Sequence, residues 1–209
     1  MAGASLDPRV ARSRALIEEA ATNHFLASGY LAASLDEVAR SAGVSKRTIY
    51  NLYGEKERLF RAVAGRSLEI AERYAAGVAS ELGEADDVHA ALRAAAVQLA
   101  EAVLDGRVLP LRRLLIVEAS RFPELARDYY QRAPGRVLAA FAEAFRSLYE
   151  RGLLAVDDPA VAAEHFAFLV MGATLDRALF GSEPPSEDLV RARALAGVEA
   201  FVRAYASAR

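Results

Sequence analysis

Residues 34–60 read SLDEVARSAGVSKRTIYNLYGEKERLF. Two short helical patterns meet there at Ala42-Gly43-Val44-Ser45. Ser34 is placed as an N-cap with Glu37 three residues on, the pattern of a capping box. Leu35, Val38, Ala39 and Ala42 make the inward face of the first helix. Gly43 supplies the positive φ that a tight turn needs. Ser45 caps the second helix, which turns Ile49 and Leu52 inward and stops at Gly54. Small Ala39 lets the two helices approach, and Val44 and Ile49 supply their shared core. This spacing predicts a helix-turn-helix, whose second helix enters the DNA major groove. On that helix Lys46, Arg47, Thr48 and Asn51 are suited to base edges, since Arg or Lys matches guanine and Asn matches adenine. Ser34, Tyr50, Tyr53 and Lys56 suit phosphate oxygens, which position a protein without reading sequence. Ser45 sits at the helix N-terminus, which itself attracts phosphate.

Outward from this stretch almost every segment reads as helix, so the fold class is all-α. Asp7-Pro8 is a cap followed by proline at the first helical position. Leu16, Ala20, Phe25 and Leu26 form one apolar face that ends at Gly29. A long amphipathic helix runs from Glu55 to about Ser80, and another from Asp87 to about Leu104. Gly106 and Pro110 bracket a turn, and Leu111 to Ser120 is strongly apolar. Phe122-Pro123, Pro134, Asp158-Pro159 and Ser186 each open a further helix. The division expected is residues 8–54 for the helix-turn-helix domain and 55–209 for a larger helical domain.

The 209 residues carry a net charge of −2, but residues 1–66 carry +3 and the remainder −5. The only lysines are Lys46 and Lys56, both inside the helix-turn-helix. Arg9, Arg12 and Arg14 form a basic helix start that is either solvated or aimed at phosphates or the minor groove. There is no cysteine, which removes disulfides, thiolate metal sites and thiol nucleophiles. His24, His89 and His165 do not fall at metal-ligand helical spacing. No Gly-rich phosphate loop or G-x-S-x-G elbow is present. These features point away from an enzyme, a metal and a cofactor. No apolar run is long enough to span a membrane and the N-terminus lacks a signal-peptide core, so a soluble, cytoplasmic protein without a membrane partner is expected.

The set formed by Phe25, Gly29-Tyr30, Ser34 through Ala39, Ala42 through Ser45, Thr48-Ile49-Tyr50 and Lys56 through Phe60 resembles the tetracycline-repressor-like (TetR/AcrR) regulators of bacteria. The likeness covers about residues 10–62. Residues 118–126, EASRFPELA, are similar to a segment of the AcrR-type members. Leu52 stands where many members have histidine, and Tyr53 where phenylalanine is commoner. The resemblance implies about nine helices, three in the DNA-binding domain and the rest in an effector-binding and dimerisation domain. It implies a homodimer that represses transcription until a small molecule binds. One recognition helix contacts too few bases for specificity, so a paired reader on a palindromic double-stranded operator is expected, with half-sites roughly 34–36 Å apart.

The resemblance assigns the dimer contact to the last two helices, through Phe166, Leu169, Val170, Ala173, Leu189, Leu195, Val198, Phe201 and Val202. An effector pocket would draw on Val97, Leu104, Leu111, Leu114, Leu115, Phe122, Tyr129, Phe141, Phe145, Phe168 and Met171. That set is apolar and aromatic, so a small, uncharged, hydrophobic effector is expected. Arg113, Glu118, Asp176 and Arg177 interrupt these apolar stretches, either to orient a ligand or to form salt bridges. The alternatives are an activator, a regulator with no effector, and an interaction module that no longer binds DNA.

Overall fold

The structure is a computed structural model that describes residues 7–104, 108–181 and 183–207, without the side chains of Ser67 and Ala79. Among the described residues it forms ten helices and no strand; the one β-type pairing is an isolated bridge, Leu154 to Ala206. The helices are α1 (Pro8–Ala32), α2 (Leu35–Ala42), α3 (Lys46–Tyr53), α4 (Lys56–Gly83), α5 (Val88–Leu104), α6 (Val108–Val117), α7 (Pro123–Arg132), α8 (Pro134–Glu150), α9 (Pro159–Phe180) and α10 (Glu187–Tyr205). None of them is long and apolar enough to cross a membrane.

The starts of these helices follow local chemistry. Asp7 Oδ1 accepts the Arg9 amide at 2.9 Å, with Pro8 at the first helical position. Asp158 caps α9 ahead of Pro159 in the same way, and the Ser186 hydroxyl accepts the Leu189 amide at the start of α10. Such caps satisfy amides that have no partner within the helix. Two expectations differ. Pro110 lies in the first turn of α6 rather than in a loop, because a first-turn amide needs no intrahelical acceptor. In α1 it is Ile17, not Leu16, that is fully buried with Ala20, Ala21 and Phe25; Leu16 is 42% exposed. The turn expected at Gly106 lies outside the described residues.

The chain divides into two compact units. Unit 1 holds residues up to Arg66 together with Leu114–Ala126; unit 2 holds Ser67–Arg113 and the chain from Arg127 on. The packing therefore does not divide at residues 54 and 55. Helix α4 runs through the end of the first unit into the second, and a segment distant in sequence joins the first.

That segment is drawn in by aromatic packing. Phe122 meets Tyr30 edge-on at 4.7 Å between ring centres and Phe60 at 5.5 Å, and Phe60 meets Phe25 at 5.2 Å. Each such pair adds about 0.5–1.5 kcal/mol beyond its buried area. Unit 2 has its own aromatic core, where Phe141, Phe145, Phe166 and Phe201 stand 4.8–5.8 Å from their neighbours in the cluster. Helices α9 and α10 come into backbone contact at Gly197, where an added Cβ would strike the Leu169 carbonyl. Arg151 donates to the Gly83 and Ala85 carbonyls at 2.7 and 2.9 Å, which closes the C-terminal end of α4.

Candidate nucleic-acid interface and ligand cavity

Gly43 has φ +66° and ψ +29°, and Val44 donates its amide back to the Ala39 carbonyl at 3.0 Å. This left-handed turn ends α2, and α3 starts three residues later at Lys46, behind its cap Ser45. Ser45 Oγ accepts the Thr48 amide at 3.1 Å and lies 2.8 Å from Thr48 Oγ1, so the Thr48 hydroxyl is partly committed to the cap. Ser34 Oγ accepts the Asp36 amide at 3.2 Å. Glu37 does not close the expected capping box; its carboxylate is instead 3.9 Å from His24 Nδ1.

Ile49 and Tyr53 are buried, whereas Lys46, Arg47, Tyr50 and Asn51 are exposed. Leu52 is only half-buried; Tyr53 takes the inward position expected of it. Arg47, Tyr50 and Asn51 have no side-chain hydrogen bond or ion pair among the described residues, so their polar groups are open to a partner. Lys46 Nζ reaches Asp36 Oδ2 at 2.8 Å, and this bond is the main reason its ammonium is harder to deprotonate than usual.

Two residues expected at phosphates are engaged within the protein. Tyr53 is 6% exposed, donates its hydroxyl to Glu18 Oε1 at 2.8 Å, and has the Arg14 guanidinium 5.6 Å from its ring centre. Burial first, then the Glu18 hydrogen bond, pushes its phenol well above the ordinary range. Tyr53 thus anchors α3 to α1 and is not aimed at solvent. Arg14 is held with it, while Arg9 and Arg12 stay exposed. Lys56 Nζ donates to the Leu31 carbonyl at 3.0 Å and lies 4.8 Å from the Tyr30 ring centre. Desolvation there lowers its pKa. A phosphate would have to use the donors left over.

Unit 2 encloses a cavity of about 350 Å³ bounded by α4 to α9. Of the residues expected in a pocket, Tyr129, Phe168 and Met171 line it. Val97, Leu104, Phe141 and Phe145 belong to the closed core of unit 2, and Leu111 is buried outside the cavity wall. Leu114, Leu115 and Phe122 belong to unit 1. An apolar helix face looks alike in sequence whether it meets a void or another side chain, so sequence alone does not separate these from the cavity wall.

The wall also carries Ile70 and Tyr74 of α4, Val108 and Arg112 of α6, Tyr130 of α7 and Glu164 of α9. Reading α6 from Val108 would have placed Arg112 four residues on, on the same face. Arg113 points elsewhere: its Nη2 donates to the Ala178 and Gly181 carbonyls at 2.6 and 2.9 Å, capping the end of α9. Glu118 pairs with Arg121 at 3.3 Å. Asp176 and Arg177 are exposed, with no ion pair among the described residues.

Phe166, Val170, Val198 and Phe201 are buried inside unit 2 and cannot form a contact surface, because their side chains already fill its core. Leu195 and Val202 are partly covered by that core. Leu169, Ala173 and Leu189 remain exposed.

Residues 17–63 match the family model for bacterial regulatory proteins of the tetR family, and residues 90–207 match that for the C-terminal domain of AefR-like transcriptional repressors. The second match alone spans more than half of the chain. The chain belongs to the TetR family of transcriptional regulators. A solved TetR-family transcriptional regulator from Mesorhizobium loti is 35% identical, with 96% of this chain and all of that one aligned at a TM-score of 0.86. The flavonoid-responsive regulator FrrA is 28% identical, over 95% of this chain and all of that one, with a TM-score of 0.74. The HTH-type transcriptional regulator AlkX of Mycobacterium tuberculosis is 35% identical over 103 residues, which is 47% of this chain and 43% of AlkX. The match to AlkX thus spans under half the length of that curated relative. In this TetR-family regulator α2 and α3 are the helix-turn-helix, and the cavity is lined by the segment matched by the AefR-like model together with Ile70, Ala71 and Tyr74 of α4, which precede that segment.

Proposed function

We propose that this regulator is a homodimeric repressor that binds a palindromic operator and leaves it when a small, largely hydrophobic molecule occupies the cavity of unit 2. The observation that carries the DNA-binding part is the division of α3. Ile49 and Tyr53 fasten it from beneath, while Arg47, Tyr50 and Asn51 stand free on its other side with Lys46 beside them. Arg47 reads a guanine, Asn51 an adenine and Thr48 a neighbouring base edge; Tyr50, Ser34, Ser45 and Lys56 hold phosphates. Dimerisation uses the outer face of α9 and α10, with Leu169, Ala173 and Leu189 as its apolar members.

Release follows from linkage. Helix α4 carries Lys56 at one end and the cavity residues Ile70 and Tyr74 further along. A ligand that favours a conformer with a different separation of the two reading helices weakens operator binding by its differential affinity for the two states. The AefR-like repressor match supports the sign, and the existence of a flavonoid-responsive relative supports control by a small organic molecule. The test is titration of a labelled duplex, obtained by selection, with sedimentation of the complex. Two protomers per duplex and a steep loss of affinity with salt are the expected results. One protomer per duplex, or equal affinity for a scrambled duplex, would refute the reading.

A further inference from the structure

We propose that the cavity takes a ligand that is apolar along its length and carries a single negative charge at one end, bound by Arg112. This rests on reading the cavity as the effector site, and it replaces the uncharged ligand expected from sequence. Among the described residues, the charged groups on the wall are Arg112 and Glu164. Arg112 is half-buried and has no hydrogen bond or ion pair among the described residues. Its neighbour Arg113 is committed elsewhere: its Nη2 donates to two carbonyl oxygens, while its buried Nε has no partner. The Arg112 nitrogens are not among the buried unpartnered atoms, so water reaches them, and an anion carried by a ligand in the apolar cavity would replace that water with a charge-assisted pair.

Glu164 does not serve as the missing acceptor. On α9 the wall is made by Glu164, Phe168 and Met171, which follow the spacing of one helix face, and by Leu175 beyond the break at Gly172. Gly172, whose φ of +49° and ψ of −149° are not helical, breaks α9 between Met171 and Leu175, so Glu164 and Leu175 lie on different sides of a kink. Arg113 is bonded to the end of α9, at Ala178 and Gly181, so the adjacent Arg112 belongs with Leu175 rather than with Glu164. The cavity therefore has a cation at one end, an apolar middle, and a carboxylate at the other. Glu164 is exposed and stays solvated, so a ligand cation would gain little from it. The half-buried Arg112 is the end at which a charge on the ligand changes affinity.

Three probes of one shape separate the possibilities: biphenyl-4-carboxylate, biphenyl-4-methanol and biphenyl-4-methylammonium, titrated calorimetrically into the full chain. The carboxylate is expected to bind roughly tenfold or more tightly than the alcohol. Arg112→Gln should remove that preference at an unaltered urea midpoint, which shows an intact fold. Arg112→Lys should keep most of the preference, and Glu164→Gln should leave it unchanged. Equal affinity for carboxylate and alcohol, tightest binding of the ammonium, a preference that survives Arg112→Gln, or binding of none of the three would each overturn the proposal. Adding the carboxylate to the operator complex is a separate readout. Arg112-dependent binding that leaves the complex intact would refute ligand-driven release and leave this inference standing.

Discussion

At the scale of single residues, Tyr53 holds α3 in place from within the protein. Its bond to Glu18 ties the end of α3 to α1. Tyr53→Phe leaves that carboxylate without its donor and is expected to cost about 1–3 kcal/mol, read as a lower urea midpoint. An unchanged midpoint with a loss of DNA affinity that fades at high salt would return Tyr53 to the phosphate backbone. Arg47→Ala is expected to leave the midpoint in place, cost about 1–3 kcal/mol of specific binding and broaden base preference at one position of each half-site. A uniform loss on all sequences would make Arg47 a phosphate contact. The cap residues and Gly43 could be read from sequence because their roles are local. Glu18 and Tyr53 lie 35 residues apart, and nothing in either neighbourhood signals the pair.

At the scale of helices, the starts at Asp7-Pro8, Ser45 and Asp158-Pro159 are legible from a side-chain cap or a proline, whereas Pro110 in the first turn of α6 reads in sequence as part of a loop. What a helix packs against was legible less often. Phe122 could be read as aromatic and apolar, but its place beside Tyr30 and Phe60 depends on long-range packing. Phe166 and Phe201 carry the periodicity of a contact face and fill a core instead. The approach of α9 and α10 gives the test that belongs here. Gly197→Ala puts a Cβ against the Leu169 carbonyl and the Val170 amide nitrogen, both backbone atoms that cannot rotate aside. The expected loss is about 1–3 kcal/mol of stability, with more exposed apolar surface on α9 and α10, measured by chemical denaturation and dye binding. Unaltered stability would mean that the two helices slide apart freely.

At the scale of the whole molecule, alkaline stability provides an independent check on the buried phenols. Tyr74, whose hydroxyl donates to the Ala95 carbonyl at 2.7 Å, has its pKa raised by burial; Tyr53 is raised by burial and Glu18, and Tyr30 by burial and then Glu57. Between pH 7 and 9 these groups are protonated in both folded and unfolded chains, so they add no pH dependence. Above the ordinary value of 10.0 the unfolded chain releases protons that the folded chain keeps, and stability falls as pH rises. Tyr74→Phe should flatten that fall; an equally steep fall would show that Tyr74 titrates normally.

The central claim is that α3 reads a two-fold symmetric operator. Selection of bound duplexes from a random library at near-physiological salt, run in parallel with Arg47→Ala, tests it most directly. The expected result is a palindrome whose half-sites lie about one helical turn apart, or at a related spacing, with one position losing its base preference in the variant. Recovery of no preferred sequence by the unaltered protein would contradict it.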